Sequence, residues 1–220
     1  MIELATIPTL NIDVNKFMTT QQLWSEIMEN KPWEYFENKQ DNYPATFISW
    51  SSCLVFCNKL SEREGLDPYY LDHYDKPIMA DSYNPKEVKM AKHGQGFRLL
   101  THQEWNHVAR ANLNTKYAGS NRVNEVGWYL KNSVHLMPVG QKTANNYGIF
   151  DMSGNSWEWC EDWSQQSNNN KKIAKGGAYN TDLNYLIINT DRYLPLSVEF
   201  NKIALQQQCT ISFRFCRNRE

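Results

Sequence analysis

Tyr147-Gly148-Ile149-Phe150-Asp151-Met152-Ser153-Gly154-Asn155-Ser156-Trp157-Glu158-Trp159-Cys160 is the stretch on which the reading of this chain turns. Its glycines belong to a series that runs through Gly119, Gly127, Gly140, Gly148, Gly154 and the Gly176-Gly177 pair. Such spacing predicts short extended runs joined by tight turns and leaves no room for a long helix. Asn155, Glu158, Glu161 and Asp162 form an oxygen-rich cluster at one of these turns. On the residues alone, Trp157, Trp159 and Trp163 pack inward while the acids cap turns or face water.

Upstream the pattern is helical. Leu23, Trp24, Ile27 and Met28 recur at three- and four-residue intervals, which predicts a short amphipathic helix over 19–29 with Thr19 or Thr20 as N-cap. A second helix is expected from Ser51 or Ser52 to Glu64, with Cys53, Leu54, Cys57 and Leu60 inward and Gly65 as the stop. Residues 66–96, with Pro68, Pro77, Pro85, Gly94 and Gly96, read as loops with short extended pieces. Thr101 and Glu104 have capping-box spacing, so a third helix should run from there to about Ala111. Downstream, residues 162–172 read as a solvated loop, and 210–216 as one strand with Ile211, Phe213 and Phe215 on a single face.

The 220 residues can bury a sizeable core, and a 13% aromatic content argues against disorder. With 23 basic against 24 acidic residues and no basic stripe, a nucleic-acid footprint is not expected. No apolar run reaches the roughly 20 residues a bilayer span needs, and residues 1–10 carry neither a basic leader nor a long apolar segment, so no membrane partner is expected. The five cysteines, Cys53, Cys57, Cys160, Cys209 and Cys216, are an odd number in a chain that folds without covalent staples. A soluble, reduced, cytoplasmic protein is the expectation, with a mature secreted fragment left open.

Five segments together carry a likeness that periodicity does not supply: Ser61–Gly65, Gly96–Trp105, Tyr147–Cys160, Gly176–Tyr179 and Phe213-Arg214. In this order they resemble the successive signatures of the formylglycine-generating-enzyme, or sulfatase-modifying factor, domain. The resemblance spans about Thr19 to Arg217 and implies a single domain over 1–220. The implied fold is α+β, an irregular variant of the C-type-lectin fold. That fold family hosts copper-dependent oxidation of a sulfatase cysteine, iron-dependent sulfur chemistry, noncatalytic homologues and diversified binding proteins, so fold alone does not name the activity.

Catalytic members place two cysteines after the Gly-Gly pair as thiolate ligands for copper. Matched from Gly176-Gly177-Ala178-Tyr179, those positions fall on Thr181 and Leu186. Neither side chain supplies a thiolate, so copper is not expected and the family's cysteine oxidation is not either. Cys53 and Cys57 share a helix face and read as packing residues, as does Cys160. His73, His93, His102, His107 and His135 show no compact ligand motif. The resemblance also implies a structural calcium near Asn155, Glu158, Glu161 and Asp162. A second family site, after the position matching Asn132, finds a short loop without an acid here. Arg98 and Arg214 each follow a Phe, and either fork to carboxylates and carbonyls or recognise substrate.

In relatives the region matching 180–208 frames a substrate groove or a variable binding face. Here it offers Asn184, Tyr185, Asn189, Asp191, Arg192 and Tyr193 and the run Gln206-Gln207-Gln208, aromatic and amide groups that give contact area with adaptable hydrogen bonds. The sequence therefore reads as a noncatalytic binding module that presents 180–208 to a protein or other macromolecular ligand. The alternative is a metal-dependent oxidoreductase with a nonstandard site, and a structural component of an assembly is the third class.

Overall fold

A computed structural model describes residues 2–34, 40–81, 83–91, 94–164, 171–195 and 210–220. In chain order the elements are β1 (Leu4–Ile7), β2 (Ile12–Asn15), α1 (Gln21–Met28), α2 (Trp50–Arg63), β3 (Tyr70–Leu71), β4 (Lys89–Met90), β5 (Phe97–Leu99) and α3 (His102–Arg110). They continue as α4 (Val123–Val126), β6 (Gly127–Trp128), β7 (Ser153–Gly154), β8 (Trp157–Trp163), β9 (Lys171–Lys175), β10 (Arg192–Pro195), β11 (Ile211–Phe213) and β12 (Phe215–Asn218). The fold is α+β, as expected. None of the described helices is long and apolar enough to cross a membrane.

The helices form where caps and apolar spacing coincide. The Thr20 hydroxyl accepts the Leu23 N–H at the start of α1. At α3 the Thr101 hydroxyl accepts the Glu104 N–H, and the Glu104 carboxylate accepts the Thr101 N–H, so the capping box is closed in both directions. Helix α2 begins one to two residues earlier than its sequence predicts. Ser49 is extended and its hydroxyl accepts the Ser52 N–H, so Ser49 is the cap. This draws Trp50 into the first turn, where its indole N–H donates to the Cys160 carbonyl. The other end of α2 is closed by Gly65 at φ +72°, with Leu66 N–H on Ser61 O and Gly65 N–H on Glu62 O. That pairing needs a left-handed residue, which explains the glycine. The Ser61 hydroxyl donates to Cys57 O and accepts the Phe97 N–H, which ties the Ser-Glu-Arg-Glu-Gly segment to the Gly-Phe-Arg-Leu-Leu strand.

Two four-stranded sheets organise the described residues. One has the order β1-β2-β12-β5 with antiparallel neighbours, and joins both ends of the chain. The other has the order β10-β9-β8-β11, with β11 parallel to β8. The expected single strand over 210–216 is thus two strands in two sheets. The break falls at Arg214, whose guanidinium is held between them in the interior. Phe213 and Phe215 still meet on one helix, with ring centroids 5.1 and 6.0 Å from Phe56.

The β8–β9–β10 register sorts side chains to opposite sides of the second sheet. Trp159, Ala174 and Arg192 lie in line across it, and Glu158 opposes Lys175. Because side chains alternate along a strand, Trp157, Trp159, Ala174 and Arg192 share one face while Glu158, Lys175, Asp191 and Tyr193 share the other. The first face joins a core with Trp24, Trp50, Phe56 and Phe213; the second packs on Trp105, Val108 and Cys160.

Candidate functional site

The turn after the Gly-Gly pair is closed by Thr181. Its hydroxyl donates to the Ala178 carbonyl at 2.8 Å and accepts the Ala178 N–H at 3.0 Å. Leu186 is fully buried in a small cluster with Tyr117, Val126 and Tyr129. The two positions that would carry thiolates are a turn-closing hydroxyl and a core methyl group. They do not fit copper.

The oxygen cluster around Asn155 is not assembled as the sequence reading expects. Asn155, at φ +64°, accepts the Met137 N–H and donates to the Met137 carbonyl, clamping that loop. Glu158 lies on the inner face of β8 against Arg214 and Trp105. Glu161 accepts the Tyr70 hydroxyl at 2.9 Å, and Asp162 accepts the His102 N–H at 2.5 Å. Strand alternation and a bulge between Trp159 and Trp163 send these carboxylates to different neighbours. Among the described residues no group of three or more His, Cys, Asp and Glu stands close enough to hold a metal. These four side chains therefore do not converge on one point: Asn155 clamps a loop, Glu158 and Asp162 stand in ion pairs, and Glu161 accepts a hydroxyl.

Both arginines form forks. Arg98 meets Glu104 through two nitrogens at 2.8 and 2.7 Å. Arg214, buried, meets Glu158 at 3.1 and 3.0 Å and donates to the carbonyls of Asn15, Lys16 and Phe150. Cys53, Cys57, Cys160 and Cys216 are free thiols in the interior, and burial pushes each of them up, away from the thiolate. Cys209, His93 and the run 206–208 lie outside the described residues.

The expected binding face is divided by the sheet. Asn189 accepts an Arg110 N–H at 2.7 Å, and Asp191 pairs with the buried Lys175 ammonium at 2.6 Å. Tyr193, 3.5 Å from Asp191 through its hydroxyl, packs on the second core. Each of these three is engaged by another part of the chain, Asn189 at the surface and Asp191 and Tyr193 against the second core. Asn184 and Tyr185 are exposed on a 3-10 turn over Leu183–Leu186. The Tyr185 ring stands edge-on to Trp157 at 5.8 Å, and the Arg192 guanidinium lies 5.3 Å over the same indole. Ala174, between Arg192 and Trp159 in the register, carries only a methyl group and leaves the guanidinium a path across the sheet.

Two participants escaped the sequence reading. Trp157, which reads there as core, is the platform on which Tyr185 and Arg192 meet. Lys172, read as part of a solvated loop, is 1% exposed between the rings of Trp50 at 3.6 Å and Trp163 at 3.9 Å. Its ammonium donates to Glu161 O. Burial pushes this ammonium down to about 7, against the pull of Glu161 and Asp162. A two-residue alternation from Lys172 through Ala174 would have marked it as inward; the polar run before it concealed the strand start.

Residues 9–217 match the family described as the sulfatase-modifying factor enzyme 1-like domain. The chain is 31% identical to the chaperone protein LppX of Paenibacillus barcinonensis, over 78% of this chain and 70% of that one. It is also 31% identical to the formylglycine-generating enzyme of Mycobacterium tuberculosis, over 43% of this chain and 36% of that enzyme, so it spans about a third of the enzyme's length. Among solved structures, Treponema denticola variable protein 1 has the same fold, with a TM-score of 0.81 at 20% identity, covering 99% of this chain and 92% of that one.

Proposed function

Starting from a chain that belongs to the sulfatase-modifying factor enzyme 1-like domain family, we propose that it is a noncatalytic member which binds a protein through the region 180–208. One observation carries the reading. Where the resemblance places two copper thiolates, Thr181 is bonded to the Ala178 backbone and Leu186 is sealed in apolar packing. A site already filled by structural contacts has neither the ligand nor the room for metal-assisted oxidation. Similarity over most of the chain to a protein named as a chaperone supports protein binding as the remaining task. On the described part of the region, Asn184 and Tyr185 are exposed and Arg192 is partly buried beside them.

Two measurements test this. Incubated with a sulfatase-type cysteine peptide, copper and oxygen, the protein should leave the peptide mass unchanged; copper-dependent conversion to formylglycine refutes the noncatalytic reading. A photo-crosslinking amino acid placed at Tyr185 in the producing cell should give a discrete protein adduct, identified by mass spectrometry. A discrete adduct from the opposite side, at His107, with none from Tyr185, would overturn the choice of face.

A further inference from the structure

Around Trp157 the described residues gather hydrogen-bond donors without acceptors. The indole is fully buried, and its N–H has no partner. Arg192 is partly buried over that ring, and no described acid lies within ion-pair distance of it. Other buried cations contrast with it: Arg98, Arg214 and Lys175 each have a carboxylate, and Lys172 donates to the Glu161 carbonyl. Burial lowers the Arg192 guanidinium below its ordinary value, with the Tyr185 hydroxyl pulling the other way. A guanidinium partly removed from water and left, among the described residues, with only an aromatic face costs free energy that a carboxylate would offset.

We propose that Arg192, stacked on Trp157 and flanked by the exposed edge of Tyr185, takes an acidic side chain, Asp or Glu, of a bound protein segment. The inference rests on the protein-binding reading above and names the chemistry of the contact. The planar fork of Arg192 matches a carboxylate in two parallel hydrogen bonds, and Trp157 holds that fork by its ring face. Tyr185, 45% exposed and rigid, supplies the apolar area next to the ion pair that such a hot spot uses. A single guanidinium in a chain of net charge -1 suits one carboxylate better than a polyphosphate backbone.

The test uses the whole protein labelled with 5-fluorotryptophan, the Trp157 signal being assigned by Trp157→Phe. The probe is an acetylated, amidated peptide Gly-Glu-Leu-Glu-Gly, with the Gln-for-Glu peptide and sodium phosphate as comparisons. The Trp157 signal should move saturably with the Glu peptide, and not with the other two. Arg192→Gln should weaken this binding about tenfold or more, and Arg192→Lys should restore only part of it, because an ammonium lacks the fork. Each variant is first checked by its thermal melt; should one fail to fold, the three ligands on the unaltered protein still decide. No movement with the Glu peptide, or equal movement with the Gln peptide, overturns the proposal. Equal movement with phosphate overturns the peptide assignment and makes this a general anion site. Failure of this contact is separable from failure of the function: a Tyr185 adduct that persists unchanged in Arg192→Gln leaves the binding face standing and removes the carboxylate.

Discussion

Replacing Arg214 with alanine takes the charged partner from one buried carboxylate and a donor from each of three carbonyls in a single step. Glu158, 1% exposed, would keep only the Trp105 indole N–H, at 3.0 Å. Breaking a buried pair by removing one partner costs about 3–5 kcal/mol, because the remaining charge stays out of water. For a domain of this size each kcal/mol is worth about 2–4 °C, so the melting temperature should fall by about 6–20 °C. Urea unfolding followed by tryptophan fluorescence reads the same loss at constant slope. Arg214→Lys should recover less than half, since an ammonium cannot span both Glu158 oxygens and the Asn15, Lys16 and Phe150 carbonyls. Arg214→Met with Glu158→Leu should recover part of the loss by removing the stranded charge. A loss below about 1 kcal/mol for Arg214→Ala, or full rescue by lysine, refutes the claim that this fork holds the two sheets together.

Three further outcomes are expected. Burial pushes the Asp151 carboxyl up to about 6, so the folded state holds its proton more tightly than the unfolded one; its contribution is full below about pH 4 and is lost as pH rises through 6, and Asp151→Asn should abolish that slope and stabilise the protein at pH 7 by about 1–3 kcal/mol in pH-dependent melts, an unchanged slope refuting the assignment. Asn58→Ala removes two donated bonds, to Tyr70 O and Ile78 O, and one accepted from Tyr70 N–H; a loss of about 2–5 kcal/mol with faster amide exchange at Tyr70 is expected, and less than 1 kcal/mol would mean that water replaces the side chain. Cys53→Ala with Cys57→Ala should lower the melting temperature by a few degrees and leave bound-metal content, by mass spectrometry of the native protein, unchanged; loss of a stoichiometric metal would contradict their packing role.

What could be read from the sequence was local. Thr101 and Glu104 specify a helix start within four residues, and Gly65 specifies its stop for α2, because each depends only on its near neighbours. The break at Arg214 was not legible: Ile211, Phe213 and Phe215 alternate as one strand would, and the partners that hold Arg214 out of it, Glu158 and the Asn15, Lys16 and Phe150 carbonyls, lie far away in sequence. The candidate face shows the same limit. Its residue types were readable, yet Asp191 and Tyr193 turn to Lys175 and the second core while Arg192 turns to Trp157, and that division needs the β9–β10 register.

The register also separates the positions that hold the fold from those free to vary. The inner face of the second sheet is closed by complete pairs, Glu158 with Arg214 and Lys175 with Asp191. Substitutions there carry the full penalty of a buried charge, so this face holds the fold constant. Thr181 and Leu186 lie instead on the connection between β9 and β10, where a hydroxyl closing a turn or a leucine filling a small cluster costs nothing that the sheets must make good. Arg192 stands at the edge strand β10, on the opposite side of the sheet from those pairs and without an anion among the described residues. A guanidinium without a hydrogen-bond acceptor among the described residues, beside a scaffold that gives Arg98, Arg214, Lys175 and Lys172 theirs, is where selection for a ligand, rather than for stability, is expected to act.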